Sequence, residues 1–356
     1  MFFIRQIVFL LFFINPVLIT QQYANILDGL PSVSKYEKME VLPQLKKIVQ
    51  WTQKIEFVDY PRAFNPTLLR TSDGFLLAFR YCPIPIMSWY SCIGIVLLDD
   101  NFSPKSVPRL LNFRFENKKI APQQEDPRLF ELNGEIYILF NDNDTIVCPT
   151  EKHRRDIYLS KLTYEDERFV PSRPIKLFHG LKYSCNLWQK NWVPFEWNNN
   201  LMICYTTDPH EILITNFEDG HCKPVYFTQL KNFGYKWGHL RGGTPAQLVD
   251  GEYLSFFHSS TVLSTNSSNM KPLRHYYMGA YTFSPEPPFN IKKITTFPII
   301  ADGFYTPSDY DKRVIFPGGF VSDGEHIYIA YGKDDCEIWI AKIDKKELLS
   351  FMKDIN

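Results

Sequence analysis

The sequence predicts an all-β fold, a five-bladed β-propeller with a short N-terminal lead-in and a short C-terminal helix. Three observations predict it: a proline-anchored segment recurs five times, each copy carries an Asp-Gly, Asn-Gly or Asn-rich turn, and an apolar run follows each turn. Such turns supply the positive φ of tight hairpins, and β-branched and aromatic runs favour strands. Each copy therefore has the pattern of a β-hairpin. The anchoring prolines are Pro66, Pro127, Pro194, Pro245 and Pro317.

The spacing of the five copies leaves room for more than a hairpin. Successive anchoring prolines lie 61, 67, 51 and 72 residues apart, which accommodates two further strands and a loop in each unit. Radial repetition of a four-stranded unit is the pattern of a β-propeller, whereas independent hairpins would form a two-sheet sandwich. In a radial fold, the residues beside each proline and those that end each second run are expected to surround one central pocket. Those that end the second runs are Arg80, Asn141, Asp208, Ser259 and Tyr331.

The charge balance of the chain restricts its partners. Lys and Arg together number 39, and so do Asp and Glu. This neutral balance argues against nucleic acid or an anionic membrane as the main partner. The sequence has no zinc-type cysteine pairs, P-loop or dinucleotide-binding glycine pattern, so we predict neither a metal nor an organic cofactor. One propeller accounts for residues 61–356, and no linker divides them.

The two ends of the chain have different patterns. Residues 1–20 place one arginine before an apolar stretch, as in a signal peptide or signal anchor. We therefore expect a secreted or lumenal protein of the secretory pathway, with membrane contact only if this segment is retained. Residues 21–60 form a predicted lead-in segment. Near the other end, Asp344 and Glu347 have capping-box-like spacing, which predicts a short terminal helix.

The segment from Glu125 to Arg128, Glu-Asp-Pro-Arg, contains a candidate general acid. Adjacent residues of a strand point to opposite faces, so we expect only Asp126 to face the pocket and Arg128 to lie on the same face. Burial or a second carboxylate would keep Asp126 protonated, as a general acid requires. Glu125 would point away or provide a second ligand contact. A structural ion pair between Asp126 and Arg128 is the alternative.

Basic and polar residues of three other copies predict an anion site. Lys190 and Asn191 precede Pro194, Arg241 precedes two glycines, and His258 follows an apolar strand. Glycine permits close approach of the backbone to a ligand. If a radial fold brings these side chains together, they would bind phosphate. A solvated lysine and a ligand-free bulge are the alternatives.

Four tryptophans lie near the polar clusters, where an aromatic face would suit a sugar and a core position is the simpler interpretation. They are Trp188, Trp192, Trp197 and Trp237.

Six motifs, in order along the chain from Asn65 to Asp335, resemble glycoside hydrolase family 130 and the related β-1,2-mannosyltransferases of glycosyltransferase family 108. They are FNP…LLAFR, EDPRLF, KNWVPF, RGGTPA…FFH, YMGAY and VIFPGG…YIAYGKDD. The resemblance implies a five-bladed propeller that acts on β-mannosides as a phosphorylase or a mannosidase. It implies a glycan substrate, no cofactor, and inorganic phosphate as a co-substrate of the phosphorylases.

The resemblance also implies roles for individual residues. The catalytic acid of the family falls on Asp126. Phosphate contacts fall on Lys190, Asn191, Arg241 and His258. Sugar or substrate contacts fall on Asn65, Arg80, Tyr277 and Asp335, with Asp334 as the near alternative to Asp335; beside these, Glu125, Arg128 and Asp208 are candidate substrate-binding residues.

The sequence departs from the phosphorylase pattern at Asp208, where a phosphate-binding arginine is expected. A carboxylate repels phosphate and would suit water or a sugar hydroxyl. The implied mechanism is a single inverting displacement with Asp126 as the acid and phosphate or water as the nucleophile. In a hydrolase, Asp208 or Glu125 would be the base. A mannosyltransferase that uses a sugar nucleotide or sugar phosphate, and a glycan-binding propeller without catalysis, are the alternatives.

Overall fold

A computed structural model describes residues 48–84, 90–115, 121–143, 155–180, 188–230, 233–264, 271–306 and 309–355. The predicted signal segment 1–20 and most of the lead-in segment lie outside the described residues. Within them the chain is almost entirely β, with one short helix near the C-terminus, as the sequence predicts. No helix in the described part of the chain is long and apolar enough to cross a membrane.

The strands of the first half are short, and most follow one another as antiparallel neighbours. In chain order they are β1 (Val49–Ile55), β2 (Phe64–Thr71), β3 (Gly74–Tyr81), β4 (Cys92–Leu98), β5 (Arg109–Leu110), β6 (Glu125–Leu132), β7 (Glu135–Asp142), β8 (Asp156–Glu165), β9 (Arg168–Pro171), β10 (Ile175–Leu177), β11 (Val193–Trp197), β12 (Asn200–Thr206), β13 (His210–Thr215) and β14 (Cys222–Thr228).

The second half contains the longest strands and the helix. In chain order its elements are β15 (Arg241–Gly242), β16 (Gln247–Val249), β17 (Glu252–Ser264), β18 (Pro272–Phe283), β19 (Ile291–Ile294), β20 (Lys312–Ser322), β21 (His326–Lys333), β22 (Glu337–Asp344), α1 (Lys345–Phe351) and β23 (Lys353–Asp354). The Asp344 side chain accepts a hydrogen bond from the Glu347 amide at 2.9 Å and caps α1, as the spacing predicts.

These strands form four sheets within the described residues. One sheet has the order β2-β3-β4-β5, the next β10-β8-β7-β6 with β9 beside β8, and the third β11-β12-β13-β14. The fourth, ten-stranded sheet contains two antiparallel runs, β15/β16-β17-β18-β19 and β20-β21-β22-β1. A short parallel pairing of β18 with β20 joins them. The N-terminal strand β1 thus forms the outer edge of the last run, beside β22.

The predicted hairpin turns at Asn133-Gly134 and Asp250-Gly251 are confirmed by their backbone angles. Asn133 and Gly134 have φ values of 54° and 75°, and Asp250 and Gly251 have values of 49° and 84°. Two successive positive φ angles are the signature of the type I′ turn, whose twist matches that of the flanking strands. These turns set the register that buries one face of each hairpin.

Hydrophobic clusters pack each group of strands against the next. Leu76 and Ile95 of the first sheet pack with Leu129 and Phe140 of the second, and further clusters join the second to the third and the third to the ten-stranded sheet. Another cluster joins the two runs of the ten-stranded sheet. The last run packs back against the first sheet, with Ile340 beside its core. The last group of strands therefore packs against the first group.

The innermost strands of these groups converge at both ends. The last residues of β2, β6, β11, β16 and β20 line one cavity of about 610 Å³. Close contact between first and last groups requires glycine, because a Cβ on Gly318 would lie 1.9 Å from the carbonyl oxygen of Pro66. The opposite ends of these strands carry the predicted catalytic residues.

Candidate active site

Two equivalent backbone bulges position the residues that precede the first two anchoring prolines. Asn65 and Asp126 have φ values of 46° and 52°, in the left-handed region. At each position the strand contains one residue more than its partner, which is the pattern of a β-bulge. A bulge interrupts the alternation of side chains between the two faces. The prediction that Glu125 and Asp126 point to opposite faces is therefore wrong, and both carboxylates reach the same cations.

The Asp126 carboxylate lies in a buried polar environment. The Asn65 amide donates a hydrogen bond of 2.8 Å to Oδ1 of Asp126. Arg80 and Lys190 approach the same carboxylate at 3.7 and 3.9 Å, beyond hydrogen-bonding distance. Neither cation therefore forms a direct hydrogen bond to the Asp126 carboxylate, although both remain nearby.

Glu125 takes the direct contacts with the cations. Arg80 and Arg155 donate to Oε1 of Glu125 at 2.9 and 3.0 Å, and Lys190 donates to Oε2. Burial alone would raise the pKa of Glu125, but the charges of Arg80, Lys190 and Arg155 hold it well below its usual range. Glu125 is therefore a permanent anion that holds three cations in place. Arg155 also donates to Gln123. The sequence did not predict it as a site residue, because its segment matches none of the repeated patterns.

Arg128 has a structural role that differs from the prediction. Its guanidinium donates to the backbone carbonyl oxygens of Asp126, Pro127 and Gly243 rather than to the Asp126 carboxylate. It also lies over the Phe316 ring at 5.0 Å. Complete burial lowers the pKa of Arg128 to about 10, although the charge of Asp126 opposes this shift. Arg128 thus fixes the bulge that presents the acid, and bonds to the backbone take the place of the side-chain ion pair that was the alternative interpretation.

The predicted anion-binding residues converge. Lys190, Asn191 and Arg241 line one depression of about 440 Å³, and the exposed Asp208 lines it too. The remaining lining residues are Trp188, Tyr205, Thr206, Thr207, Leu240 and Gly242. Lys190 also contacts Glu125, so the depression adjoins the catalytic candidates.

Gly242 allows the segments of this depression to approach each other. A Cβ at Gly242 would lie 2.2 Å from the carbonyl oxygen of Asn191, closer than any real contact. Arg241 pairs with His258 across the β15–β17 ladder. The Gly-Gly sequence after Arg241 is therefore explained by backbone packing, and it places Arg241 beside the loop that carries Lys190.

His258 is close to this site but is not a cation. Burial, followed by the charges of Arg241 and Arg128, lowers its pKa to about 3. The ring is therefore neutral at physiological pH, so His258 adds no third positive charge to those of Lys190 and Arg241. Within the described part of the chain its Nδ1 atom is buried without a hydrogen-bond partner. A neutral imidazole can bind an anion only through a hydrogen bond.

The adjacent carboxylates of Asp334 and Asp335 have different hydrogen-bond partners. The Asp334 carboxylate accepts a hydrogen bond of 2.8 Å from the Val314 amide, which is a structural contact between strands. The Tyr310 hydroxyl donates to Asp335 at 2.8 Å. Burial raises the pKa of Asp335, partly offset by that hydrogen bond and by the charge of Arg80. Asp335, not Asp334, is thus the carboxylate near the cluster around Asp126.

Several predicted pocket residues lie elsewhere. Tyr277 is fully buried in the core between Trp237 and Tyr305, and it does not line the depression. Tyr331 also belongs to a hydrophobic cluster. Of the four tryptophans, Trp192 and Trp237 are buried, whereas Trp188 lines the depression with 55% of its surface exposed. Trp197 lines the cavity at the opposite ends of the strands.

Several proteins of known structure are similar to this chain in fold. A glycosyl hydrolase from Bacteroides ovatus is 16% identical and has a TM-score of 0.58, with 80% of this chain and 85% of that chain covered. A β-1,2-mannobiose phosphorylase from Listeria innocua is 15% identical, with a TM-score of 0.55 and coverage of 87% and 98%. A GDP-Man-dependent mannosyltransferase from Leishmania mexicana is 14% identical, with a TM-score of 0.53 and coverage of 84% and 91%. No curated protein sequence is significantly similar to the chain.

The fold and the match to a known sequence family together define an enzyme of the glycoside hydrolase or phosphorylase type. The chain belongs to glycoside hydrolase family 130, whose model, described as beta-1,4-mannooligosaccharide phosphorylase, matches residues 33–354. The family acts on β-mannosides. Among the described residues, no three His, Cys, Asp or Glu side chains group as ligands of a metal ion.

Proposed function

We propose that this protein is a five-bladed β-propeller enzyme that cleaves β-mannosidic bonds by an inverting single displacement, with Asp126 as general acid and phosphate as nucleophile. The observation that carries the proposal is the position of Lys190. Its ammonium group lines the cationic depression and lies 3.9 Å from Asp126. A phosphate bound in the depression would therefore lie beside the glycosidic bond whose oxygen Asp126 protonates.

Each side chain of the site has one role in the proposed reaction. Asp126 gives its proton to the glycosidic oxygen, directly or through a sugar hydroxyl, as the bond from that oxygen to the anomeric carbon breaks. A phosphate oxygen attacks the opposite face of the same carbon, so the products are a mannose 1-phosphate of inverted configuration and a glycan shortened by one residue. Asn65, whose amide already holds Asp126, positions the acid. Asp335 and Arg80 contact the sugar.

The charges of the site favour phosphate over water. Lys190 and Arg241 provide positive charge in the depression, Asn191 provides an amide, and His258 provides a neutral hydrogen-bonding group. Glu125 is a poor candidate for the base of a hydrolase, because its pKa lies well below the usual range and three cations occupy its oxygens.

Two alternative activities, hydrolysis and mannosyl transfer, are each supported by a specific feature of the chain. Asp208 is an exposed carboxylate in the same depression and would serve as a base for water in a hydrolase. The depression would also accept the phosphate of an activated sugar donor, as in a mannosyltransferase. The N-terminal segment, which predicts entry into the secretory pathway as a secreted, lumenal or membrane-anchored protein, favours these two activities, since sugar phosphates are used mostly inside cells.

Product analysis distinguishes these reactions. The purified protein is incubated with β-mannobioses with and without phosphate, and separately with mannose acceptors plus mannose 1-phosphate or GDP-mannose. Phosphate-dependent release of mannose 1-phosphate supports the proposal, phosphate-independent release of mannose identifies a hydrolase, and transfer only from GDP-mannose identifies a nucleotide-dependent transferase.

Replacement of the acid tests its role. Asp126→Asn is expected to lower kcat by about 10²–10⁴-fold, the usual contribution of a general acid. Asp166→Asn, in an exposed turn with a similar backbone conformation, is the matched control and should leave kcat unchanged. Activity retained in Asp126→Asn would refute the assignment.

A further inference from the structure

The cavity at the far ends of the innermost strands is chemically unlike the catalytic depression. It lies at the ends of β2 and β6, whereas Asn65 and Asp126 lie at their starts. Glu131, which lines the cavity, lies five positions after Asp126, so the two sites are roughly 16 Å apart at about 3.3 Å per strand residue. A ligand in the cavity therefore cannot contact the reacting bond.

The walls of this cavity combine an aromatic face with hydrogen-bonding groups. Trp197 is partly exposed, packs edge-on against Phe289, and uses its indole N–H in no hydrogen bond within the described residues. Gln247 donates to the Phe320 carbonyl oxygen at 2.6 Å, which leaves its amide oxygen available to a ligand. Asn198 lies in the turn at the rim. An aromatic platform with amide groups around it suits a ligand that has both an apolar face and hydroxyl groups.

The charges around the cavity exclude anions. Glu131, Glu196 and Glu286 line it, and the charges of the last two act on the Tyr253 hydroxyl, whose pKa rises to about 12 mainly because of burial. The one arginine of the lining, Arg70, pairs with a carboxylate outside it, since its guanidinium donates to Asp100 at 2.6 Å. Phosphate and sugar phosphates are therefore repelled, whereas carboxylates accept hydrogen bonds from sugar hydroxyls.

We propose that this cavity, lined by Trp197, Gln247 and the three glutamates, is a second, non-catalytic binding site for short neutral oligosaccharides. One sugar ring stacks on Trp197, and its hydroxyls donate to Glu131, Glu196 or Glu286. The volume of about 610 Å³ lies within the range of small-molecule sites. The site would hold a glycan on the protein while the catalytic depression acts on a chain end. The inference does not depend on which reaction Asp126 catalyses.

Direct binding tests the proposal without turnover. Isothermal titration calorimetry and saturation-transfer NMR are carried out on Asp126→Asn protein with β-mannotriose, with cellotriose as a second neutral glycan, with spermidine and with inorganic phosphate. We expect at least one neutral trisaccharide to bind, and Trp197→Ala in the same background to weaken that binding at least tenfold. Phosphate should bind equally well to both proteins.

A second variant guards against misfolding, because Trp197 also packs on the core. Glu131→Ala together with Glu286→Ala changes only exposed side chains of the lining and should weaken trisaccharide binding at least threefold without a change in Tm. Glu218→Ala, an exposed glutamate outside the lining, is the control. Trisaccharide binding that both cavity variants retain, or a cavity that binds spermidine and no trisaccharide, would overturn the proposal. If the unsubstituted protein binds the trisaccharide but turns over no mannoside, that result would instead count against the catalytic proposal alone.

Discussion

Glu125 and Lys190 form an ion pair that draws the ammonium group away from Asp126. The Lys190 Nζ atom lies 2.5 Å from Oε2 of Glu125 and 3.9 Å from Oδ2 of Asp126. Arg80 shows the same preference, at 2.9 Å from Glu125 and 3.7 Å from Asp126. A direct salt bridge to Asp126 would stabilise its carboxylate and oppose its use as an acid. Glu125 thus positions the cations around the acid.

Glu125→Gln is expected to lower kcat and to destabilise the fold by about 3 kcal/mol near neutral pH, because it leaves buried cations without their anion. Since the pKa of Glu125 is lower in the folded chain than in the unfolded chain, its contribution is present above the unfolded pKa. It is lost as the pH falls through the folded pKa, so the penalty shrinks in acid. Urea unfolding at several pH values measures it.

The control for this variant is Glu135→Gln. Glu135 pairs with Lys161 at 3.0 Å, but its side chain is 51% exposed, so its removal should cost less than about 1 kcal/mol. Equal destabilisation by the two variants, or a penalty at Glu125 that does not change with pH, would show that Glu125 is not the anion the structure describes.

Gly242→Ala should disturb anion binding rather than the acid. The added methyl group meets the Asn191 carbonyl oxygen at 2.2 Å and must displace the loop that carries Lys190. We expect the KM for phosphate to rise at least tenfold, measured by initial rates at saturating glycan. Gly234→Ala is the matched control, since a Cβ there meets no atom within 4 Å. An unchanged KM in the first variant would separate this loop from phosphate.

Asp208→Asn should increase the affinity for phosphate. Asp208 is an exposed carboxylate in the depression that contains Lys190 and Arg241, and its charge repels an anion. We expect the KM for phosphate to fall about threefold to tenfold, because the substitution removes a negative charge whose repulsion of phosphate is only partly screened by solvent. Glu218→Gln, on the same group of strands, controls for net charge. If Asp208→Asn instead abolishes release of free mannose, the enzyme is a hydrolase and Asp208 its base.

His258 should make the fold sensitive to mild acid. Its pKa is about 3 in the folded protein, against an ordinary value of 6.5, so the unfolded chain takes up a proton first as the pH falls. The stability it contributes is present above about pH 6.5 and is lost progressively toward pH 3. In the parent protein the free energy of unfolding falls between about pH 7.5 and pH 5. We expect this fall to be smaller by about 2 kcal/mol in His258→Gln.

The matched variant for this measurement is His239→Gln, at an exposed histidine. It should show the full acid sensitivity of the parent protein. His210 and His275 are also buried, with their pKa lowered to about 4, so some acid sensitivity should persist in His258→Gln. Identical pH dependence of the parent and His258→Gln would mean that the pKa of His258 is not lowered by folding.

The sequence by itself determined the all-β class, the hairpins and the terminal helix, because these depend on local chemistry. Asn-Gly and Asp-Gly turns fix the backbone at their own positions, and Asp344 caps α1 through a residue three positions away. The same locality allowed Asp126 to be selected from its place beside a repeated proline, whereas the role of Asn65 followed from the resemblance to a known family.

Only the tertiary structure decided which charges meet. A bulge at Asp126, held by Arg128 through the carbonyl oxygens of Asp126 itself and of the distant Gly243, turns Glu125 and Asp126 toward the same cations. The alternation of a regular strand could not predict this. Arg155 joined the site from a segment without a repeated motif, and His258 lost its charge because the surrounding fold removes it from water. Long-range packing sets such contacts and such desolvation, and neither is encoded in the spacing of residues along the chain.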